Sequence, residues 1–392
     1  MRTRKRLGFV FVSIMLTAML VAPCWGAEKK YSQGVTDTTI KIGTSQPLTG
    51  VIATSGEQVL SGIEAAVMTV NAAGGINGRK IELVHLDDGY SAQRLVANVK
   101  RLVEQDKVFA LNVLVGTGLV PAIYPYVEET GVILWAPMMP ADPNKKNMFF
   151  LGTTYIDQAR ILADYLVEKG FKRPAVICWD NQVGILQNKG FEAGFGKAGI
   201  NIVAILNISP TATDLSAVIL KAKEANPDVL IFSPSEQQTG QAIKEARKLG
   251  WNVQFAGTTT SFQEILLSVA GKDAEGAITD YVLDLKTSDN PMVKQAVANL
   301  NKYIQKKEIA QTVNAREAYN RTMVLAKVME MCGDNLTWEN FIAKADTLSG
   351  YITGNHPPVT FKPGVHQGTS GAKIVVIKNG AYVGITDWRE PK

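Results

Sequence analysis

Two adjacent carboxylates, Asp87 and Asp88, follow the strand-like run KIELVHL, and a glycine-rich segment, GGINGRK, precedes that run. This pattern raises two kinds of chemistry: acid–base catalysis by paired carboxylates, and phosphate binding by a glycine-rich loop. Adjacent strand residues point to opposite faces, so the two carboxylates do not converge on one substrate atom. We interpret them as caps for the helix that begins near Ser91, and we expect Arg79 and Lys80 to be exposed to solvent.

A second glycine-rich segment, VGTGLVP, follows a predicted strand and opens a predicted helix. It is close to the dinucleotide-binding pattern GxGxxG, but Pro121 replaces the third glycine and the unit follows the third strand instead of the first. Gly116 and Gly118 would let a ligand approach the backbone on either side of Thr117. The free N–H groups at the start of a helix would favour an anion there.

Other catalytic or metal-binding patterns are missing from the sequence. There is no P-loop, nucleophile elbow, HExxH or CxxC motif. His85 lies within a predicted strand, and His356 and His366 lie in a Pro/Gly-rich loop without the spacing of metal ligands. We therefore predict no enzyme activity, no cofactor and no metal site.

The first 26 residues have the pattern of a secretory signal peptide. Four basic residues precede an apolar run over 7–22, and small residues follow in APCWGA. We expect cleavage after Gly26, and lipid attachment at Cys24 is the alternative that the preceding proline disfavours. No later apolar run approaches the ~20 residues that span a bilayer, so we predict an exported, periplasmic protein.

The charge of the mature chain argues against a nucleic-acid partner. Four of the 41 basic residues lie in the signal segment, which leaves 37 against 36 acidic residues. Cys178 and Cys332 lie in apolar stretches and are predicted to be buried thiols. The mature chain is longer than the roughly 250–300 residues at which one core usually splits, so we expect two domains.

Strands alternate with amphipathic helices in two successive series, over 39–137 and 155–257. This alternation predicts an α/β protein with two doubly wound lobes, each a parallel sheet covered by helices on both faces. The chain ends in a predicted hairpin whose turn is Asn379-Gly380. A hairpin cannot form a third lobe, so we expect it to complete one of the two lobes.

An exported, two-lobed α/β chain without a catalytic constellation is typical of a clamshell binding protein. Its ligand would lie between the carboxyl ends of the strands of both lobes, and hinge closure would enclose the ligand. Tyr90 lies at one such strand end and is a candidate for the pocket wall.

The sequence resembles the Leu/Ile/Val-type solute-binding proteins of ABC importers in VTDTTIKIGTSQPLTG, NAAGGINGRKIELVHLDDGYSAQ and DLSAVILKAKEANPDVLIFSPSEQQTGQAIKEARKLG. The resemblance implies the type I periplasmic binding protein fold, with a hinge of three crossovers. The implied N-terminal lobe is 27–154 plus 284–352, and the C-terminal lobe is 155–283 plus 353–392. The implied partners are a small-molecule ligand and an inner-membrane ABC permease, and we expect a monomer.

The resemblance also implies a ligand site in the first lobe. In amino-acid-binding members, the loop after the third strand binds the α-carboxylate through hydroxyl and amide groups, which here implies Thr117 and the Gly116–Gly118 amides. The next loop, SPGAT in the family, reads APMMPAD in this chain. This departure places Met138 and Met139 at the site and Pro140 at the position of the ligand-binding threonine.

The second-lobe part of the implied site departs further from the family. Val183 replaces a tyrosine, and Thr259 replaces the acidic residue that pairs with the ligand's ammonium group. A buried, unpaired ammonium costs several kcal/mol, so this change selects against amino acids. Glu236, next to Ser235, would substitute for the missing carboxylate if it points into the cleft.

Five residues at the implied site, Met138, Met139, Val183, Tyr155 and Phe262, would line an apolar, adaptable pocket. Each of them alone is equally typical of an ordinary core position. Together they predict an apolar or aromatic carboxylic acid as the ligand, with branched-chain or other amino acids as the alternative. A sensory ligand-binding module is the alternative from another class, and the lack of a fused effector domain in the sequence favours transport.

Overall fold

The computed structural model describes residues 30–50, 52–138 and 145–392. The predicted signal peptide, with Cys24 as its alternative lipidation site, lies outside the described residues, and so do Met139 and Pro140. No helix of the described part combines the length and the apolar character that a membrane crossing requires.

The described chain alternates strands and helices along most of its length. The strands are β1 (Lys30–Tyr31), β2 (Thr39–Gln46), β3 (Lys80–Asp87), β4 (Ala110–Asn112), β5 (Ile133–Trp135), β6 (Met148–Phe149), β7 (Pro174–Trp179), β8 (Ala204–Ile208), β9 (Val229–Phe232), β10 (Gln254–Gly257), β11 (Ile278–Tyr281), β12 (Asn335–Leu336), β13 (Lys373–Lys378) and β14 (Ala381–Gly384). The α-helices are α1 (Ala53–Ala72), α2 (Ala92–Glu104), α3 (Tyr124–Thr130), α4 (Tyr155–Glu168), α5 (Gln182–Lys197), α6 (Ser216–Glu224), α7 (Glu236–Lys248), α8 (Glu264–Ala270), α9 (Pro291–Tyr303), α10 (Lys307–Ala310), α11 (Val313–Met331) and α12 (Trp338–Ala345). Two 3₁₀ helices lie at Val120–Ile123 and Gly271–Ala274.

The two main sheets have the same strand order. The first is β3-β2-β4-β5-β6, and the second begins β8-β7-β9-β10-β11, all parallel. β13 and β14 then extend the second sheet in antiparallel fashion. Asn379 and Gly380 join them with φ values of 53° and 70°, as a primed hairpin turn requires. The predicted two doubly wound lobes and the hairpin that completes one of them are confirmed.

Amphipathic helices cover these sheets, and α2 shows how its sequence dictates this. Leu95, Val99, Leu102 and Val103 recur at helical spacing and are all buried. Ser91 is the N-cap, and its hydroxyl accepts the N–H of residue 94. Because Ser91 performs this role, the prediction that the aspartates cap α2 was wrong.

The two aspartates instead hold the backbone around the strand end. Asp87 Oδ1 accepts the N–H of Leu48 at 2.9 Å, and Asp88 Oδ2 accepts the Ser45 hydroxyl at 2.8 Å. The prediction that Arg79 is exposed was also wrong: it is 1% exposed. Its guanidinium donates to the carbonyl oxygen of Thr36 at 3.1 Å, among other acceptors. A buried arginine of this kind is fixed by long-range partners, which local sequence does not reveal.

The chain passes between the lobes three times: between β6 and α4, between β11 and α9, and just before β13. The Thr153 hydroxyl donates to the Gly371 carbonyl at 2.6 Å, and the Gly371 N–H donates back to that hydroxyl at 2.9 Å. The Asp284 N–H donates to the Asn355 carbonyl at 2.7 Å. These bonds join the first and second crossings to the chain segment that leads into the third.

The packing bears on where the chain returns to the second lobe. Val359 and Phe361 are buried in the first-lobe core, with Trp135 and Phe149, whereas Ala372 belongs to the second-lobe core. Residue 353 was the predicted start of the final C-terminal segment. We propose a boundary nearer residue 371, because side chains beyond 353 still pack in the first lobe.

Both cysteines of the described part, Cys178 and Cys332, are buried free thiols, as predicted. Burial raises the pKa of each thiol, and that of Cys332 reaches about 12. Such thiols stay protonated and pack as small apolar groups.

Candidate functional site

The crevice at the carboxyl ends of the parallel strands is the candidate site. In the first sheet β3 and β4 lie on opposite sides of β2, and in the second sheet β8 and β9 lie on opposite sides of β7. The strand order therefore reverses between β2 and β4 and between β7 and β9, and the loops after these strands flank each point of reversal. Ligands of open α/β sheets bind at such points because adjacent loops diverge there and leave a cleft.

The loop after β4 carries the predicted residues Gly116, Thr117 and Gly118. Gly116 has φ 131°, a backbone conformation that favours glycine, and its carbonyl accepts the N–H groups of Leu119 and Val120 at 2.9 Å each. Gly118 is exposed, and Thr117 is 9% exposed. The loop thus lies at the crevice and leaves the Gly118 backbone accessible.

Tyr155 begins α4 directly after the first crossing, where Thr154 is the N-cap. Its hydroxyl shares a hydrogen bond with the Thr117 side chain. Burial, with a contribution from the nearby Tyr90, raises the pKa of the Tyr155 hydroxyl. Thr117 of the first lobe and Tyr155 of the second therefore touch across the crevice near the hinge.

Tyr90 lies at the end of β3 with φ 60° and 37% exposure. Its N–H donates to Asp88 Oδ1 at 2.9 Å, which holds the residue in this unusual conformation. Met138 is half-buried after β5, packs against the first-lobe core, and donates its N–H to the Leu114 carbonyl at 2.8 Å. Both residues lie at strand ends of the first sheet, while the predicted Met139 is outside the described residues.

Val183 lies at the start of α5, after β7, and is half-buried. Its N–H donates to the Asn181 side chain at 3.0 Å, so Asn181 caps the helix and fixes the loop. Val183 therefore lies just beyond the carboxyl end of β7, and its contact with ligand stays a prediction.

The side chains of Ser235 and Glu236 each accept hydrogen bonds from N–H groups at the start of a helix. The Ser235 hydroxyl accepts the Gln238 N–H as the N-cap of α7. Glu236 Oε2 accepts the N–H groups of Ile265 at 2.6 Å and Leu266 at 3.2 Å, at the start of α8. Burial raises the pKa of Glu236 to about 7. The hypothesis that Glu236 replaces the ammonium's partner is therefore corrected: this carboxylate caps a helix.

Thr259 is 4% exposed and bonded to Asp280. Its N–H donates to Asp280 Oδ1 at 3.3 Å, and its hydroxyl lies 3.0 Å from Asp280 Oδ2 and 2.9 Å from the Asp280 carbonyl oxygen. Burial raises the pKa of Asp280 to about 7. Thr259 thus covers a buried acid that no sequence pattern had singled out.

Phe262 was predicted to line the pocket, and this prediction was wrong. The ring is fully buried in the second-lobe core. It packs over Gly257 so closely that a Cβ there would lie 2.3 Å from the ring. A core position of this kind cannot be told from a pocket wall by residue type alone.

Two further features of the crevice region were not predicted. Gln46 ends β2 fully buried, with its amide donating to the Val113 carbonyl at 2.6 Å. Arg316 and Asn320, one turn apart on α11, are buried where the second and third crossings meet that helix. The only sequence signal for the second feature was a group of polar residues in the first turns of an otherwise apolar helix.

The site has no metal-binding geometry within the described ranges, where no cluster of three or more His, Cys, Asp or Glu side chains could hold a metal. A separate surface cavity of about 420 Å³ lies near Thr130, Lys145 and Trp338. It borders the amino end of β5, on the side of the first sheet opposite the crevice.

Comparisons with known proteins agree with this geometry. A family model described as periplasmic binding protein matches residues 39–381. The Leu/Ile/Val-binding protein homolog 3 of Brucella melitensis is 27% identical over 307 residues, 75% of this chain and 79% of that protein.

Two solved structures share the fold. The fatty acid ABC transporter substrate-binding protein from Thermomonospora curvata has a TM-score of 0.79 at 22% identity, covering 92% of this chain and 95% of that one. A branched chain amino acid ABC transporter protein from Thermus thermophilus with bound valine has a TM-score of 0.83 at 17% identity, covering 91% and 97%. Together with the sheet order and the three crossings, the family match over residues 39–381 shows that the chain belongs to the periplasmic binding protein family, and the Leu/Ile/Val-binding protein homolog is a protein to which it is similar.

Proposed function

We propose that this protein captures a small apolar carboxylic acid between its lobes in the periplasm and delivers the acid to an ABC permease. The observation that carries the ligand class is the state of the carboxylates near Thr259. Asp280 is buried beneath Thr259, and Glu236 caps α8. Both carboxylates already accept hydrogen bonds from the protein, which disfavours either as the partner of an amino acid's ammonium group.

The energetic argument follows from desolvation. An ammonium group that leaves water without a carboxylate partner costs several kcal/mol, which no apolar contact of similar size offsets. An acid without the amino group avoids that cost. Its carboxylate would find the Gly116–Gly118 amides and the Thr117 hydroxyl, and its apolar part would contact Met138, Val183 and Tyr155.

The comparisons name ligands of both classes. The Thermomonospora curvata protein carries the fatty acid name, which supports an apolar acid as a ligand that this fold accommodates. The Thermus thermophilus structure holds valine, and the Brucella melitensis relative carries the Leu/Ile/Val name, so a branched-chain amino acid is the second candidate. The hydrogen bonds that Asp280 and Glu236 already accept favour the apolar acid over the amino acid.

A thermal-shift panel tests the ligand class. We expect saturable stabilisation by aliphatic or aromatic monocarboxylates, and stabilisation by leucine, isoleucine or valine alone would contradict the proposal. Mass spectrometry of ligand retained by the purified protein identifies the compound directly.

Substitution of Thr117 tests the first-lobe contact. Because a hydrogen bond to a charged group contributes about 1.5–3 kcal/mol, Thr117→Ala should weaken binding of an acid about 10- to 100-fold by calorimetry. Thr130→Ala, a threonine on the side of the sheet opposite the crevice, is the matched control. Unchanged affinity in Thr117→Ala would remove this residue from the site.

A further inference from the structure

The first turns of α11 bury an unusual number of polar side chains. Arg316, Glu317, Asn320 and Arg321 are 1%, 5%, 4% and 5% exposed, at a spacing that places them on neighbouring faces of the helix. Buried charge is costly unless it is paired and hydrogen-bonded, so each group needs a partner. The two arginines differ in this respect.

Arg321 is fully partnered. Its Nε and Nη2 both lie 2.7 Å from Glu317 Oε2, and its Nη1 donates to the carbonyl oxygens of Ala136 at 3.1 Å and Pro137 at 2.6 Å. The carboxylate of Glu317 is thereby assigned to Arg321. The charges of this pair cancel locally.

Among the residues that the structure describes, no carboxylate forms an ion pair with Arg316. Its Nη2 donates to two neutral oxygens, the Asp284 carbonyl and Asn355 Oδ1, whereas Nε and Nη1 are buried without a hydrogen-bond partner. The nearby Asp284 carboxylate is taken by Lys373 at 2.8 Å. The carboxylates of Glu264, Asp284 and Glu317 act on Arg316 only from beyond ion-pair distance, and two of its donor atoms are unused within the described residues.

Further unused polar atoms belong to the same cluster. Asn355 links Arg316 to Asn320, because its Nδ2 donates to Asn320 Oδ1 at 3.1 Å. Asn320 Nδ2 and His356 Nε2 are both buried without a partner. Burial lowers the pKa of His356 to about 4, so that ring is neutral near pH 7 and adds no second charge.

The cluster lies between the hinge and the crevice. Arg316 contacts the second crossing at Asp284 and the approach to the third at Asn355. On the other side, the charges of Glu317 and Arg321 act on the Tyr155 hydroxyl, which touches Thr117 in the crevice. Tyr155 of the crevice is therefore within electrostatic range of the Glu317–Arg321 pair, which lies next to Arg316 on α11.

We propose that Arg316, with Asn320 and His356, is the receptor for the carboxylate of the transported solute. The unused Nε and Nη1 of a planar guanidinium match the two oxygens of a carboxylate, and Asn320 Nδ2 supplies a further donor. Rotation of the lobes about the crossings would expose the cluster, and closure would bury the acid group against it. This inference rests on the proposed function, and it adds Arg316 at the hinge to the loop after β4 as a partner of the acid group.

The experiment compares three compounds that carry a carboxylate with the corresponding carboxamides, which lack it: hexanoate, 3-phenylpropionate and leucine against hexanamide, 3-phenylpropionamide and leucinamide. Affinities are measured by calorimetry on the mature protein, on Arg316→Met and on Lys327→Met, which removes a half-buried cation, paired with Glu330, from the same helix. We expect hexanoate and 3-phenylpropionate to bind, and leucine and the three amides not to bind. For the two acids we expect a loss of about 10- to 100-fold in Arg316→Met and no change in Lys327→Met.

A second variant keeps the test decisive if Arg316→Met does not fold. Asn320→Asp places a carboxylate one turn from Arg316 and keeps the acceptor that Asn355 uses. We expect it to raise the melting temperature of the ligand-free protein and to abolish acid binding. An Asn320→Asp protein that binds the acid as tightly as the wild type would overturn the assignment.

The outcomes separate the two proposals. Binding of hexanoate or 3-phenylpropionate with wild-type affinity in Arg316→Met would keep the ligand class and overturn the role of Arg316. Leucine binding that depends on Arg316 would keep this role and overturn the ligand class. Failure of the wild type to bind any of the six compounds would overturn both.

Discussion

Two buried ionisable groups, one on each side of the hinge, form no ion pair with any residue in the described ranges. Asp280, at the end of β11, has only the Thr259 amide and hydroxyl, and Arg316, on α11, has only neutral oxygens. The acid escapes the cost of burial by binding a proton, because burial raises its pKa to about 7. An arginine cannot lose its proton near neutral pH, so it stays charged and attracts an anion. Burial thus favours the uncharged form of Asp280, whereas it leaves Arg316 charged and able to bind an anion.

The largest loss of stability is expected when one member of the buried Glu317–Arg321 ion pair is removed. Arg321→Met leaves Glu317 as a buried, unpaired carboxylate and removes two bonds to backbone carbonyls. We expect the free energy of unfolding in urea to fall by about 3–5 kcal/mol. The double variant Glu317→Gln/Arg321→Met should recover much of this loss, and a single variant as stable as the wild type would contradict the pairing.

A smaller, pH-dependent effect is expected for Asp280→Asn. The pKa of Asp280 is about 7 in the folded protein against 3.8 in the unfolded chain. Between these values the folded state holds the proton and the unfolded state does not, so stability falls as pH rises, by up to about 1.4 kcal/mol per pH unit. The asparagine mimics the protonated acid and removes this loss.

Urea titrations of wild type and Asp280→Asn from pH 4.5 to pH 8 measure the difference. The variant should match the wild type near pH 4.5 and exceed it by about 2–4 kcal/mol at pH 8. His356 acts in the opposite direction, because its lowered pKa makes stability rise between about pH 4 and pH 6.5. That contribution is common to both proteins and cancels. A constant difference across the pH range would show that Asp280 does not titrate there.

The smallest effect on stability is expected for Arg316→Met in the absence of ligand. The variant loses two hydrogen bonds to neutral oxygens but also removes a buried charge that forms no ion pair within the described residues. The two contributions oppose each other, so we expect the free energy of unfolding to stay within about 1 kcal/mol of the wild type. A loss as large as that of Arg321→Met would mean that Arg316 mainly supports the fold, and the comparison with Asp280 would fail.

Sequence patterns predicted the lobes because apolar runs and helical spacing depend on local order. They missed β6, which is only two residues long, and β11, whose ITDY run is interrupted by the buried Asp280. Thr117 and Tyr90 could be placed at the crevice, since strand ends follow from the strand pattern. The direction of a side chain could not be predicted: Glu236 begins a helix in the sequence, but only the fold brings the start of α8 to it.

Buried arginines show more clearly that local sequence does not predict the surroundings of a side chain. Arg79 donates to the carbonyl of Gly333, and Arg316 donates to Asn355, so their surroundings come from distant parts of the chain. In a linear sequence both resemble ordinary surface residues. The hydrogen-bond partners in the folded chain distinguish the two arginines. The guanidinium of Arg79 lies 3.2 Å from the Asp334 carboxylate, whereas Arg316 forms no ion pair within the described residues.

The bonds between crossings have a mechanical consequence. The Thr153 hydroxyl fastens the first crossing to Gly371, and Asp284 fastens the second to Asn355. Bending of the first crossing therefore also moves the third, while the second crossing stays bonded to the first-lobe segment at Asn355, so the crossings are mechanically coupled. Solutes of different length that fit the crevice would then drive the lobes along the same path and toward the same closed shape.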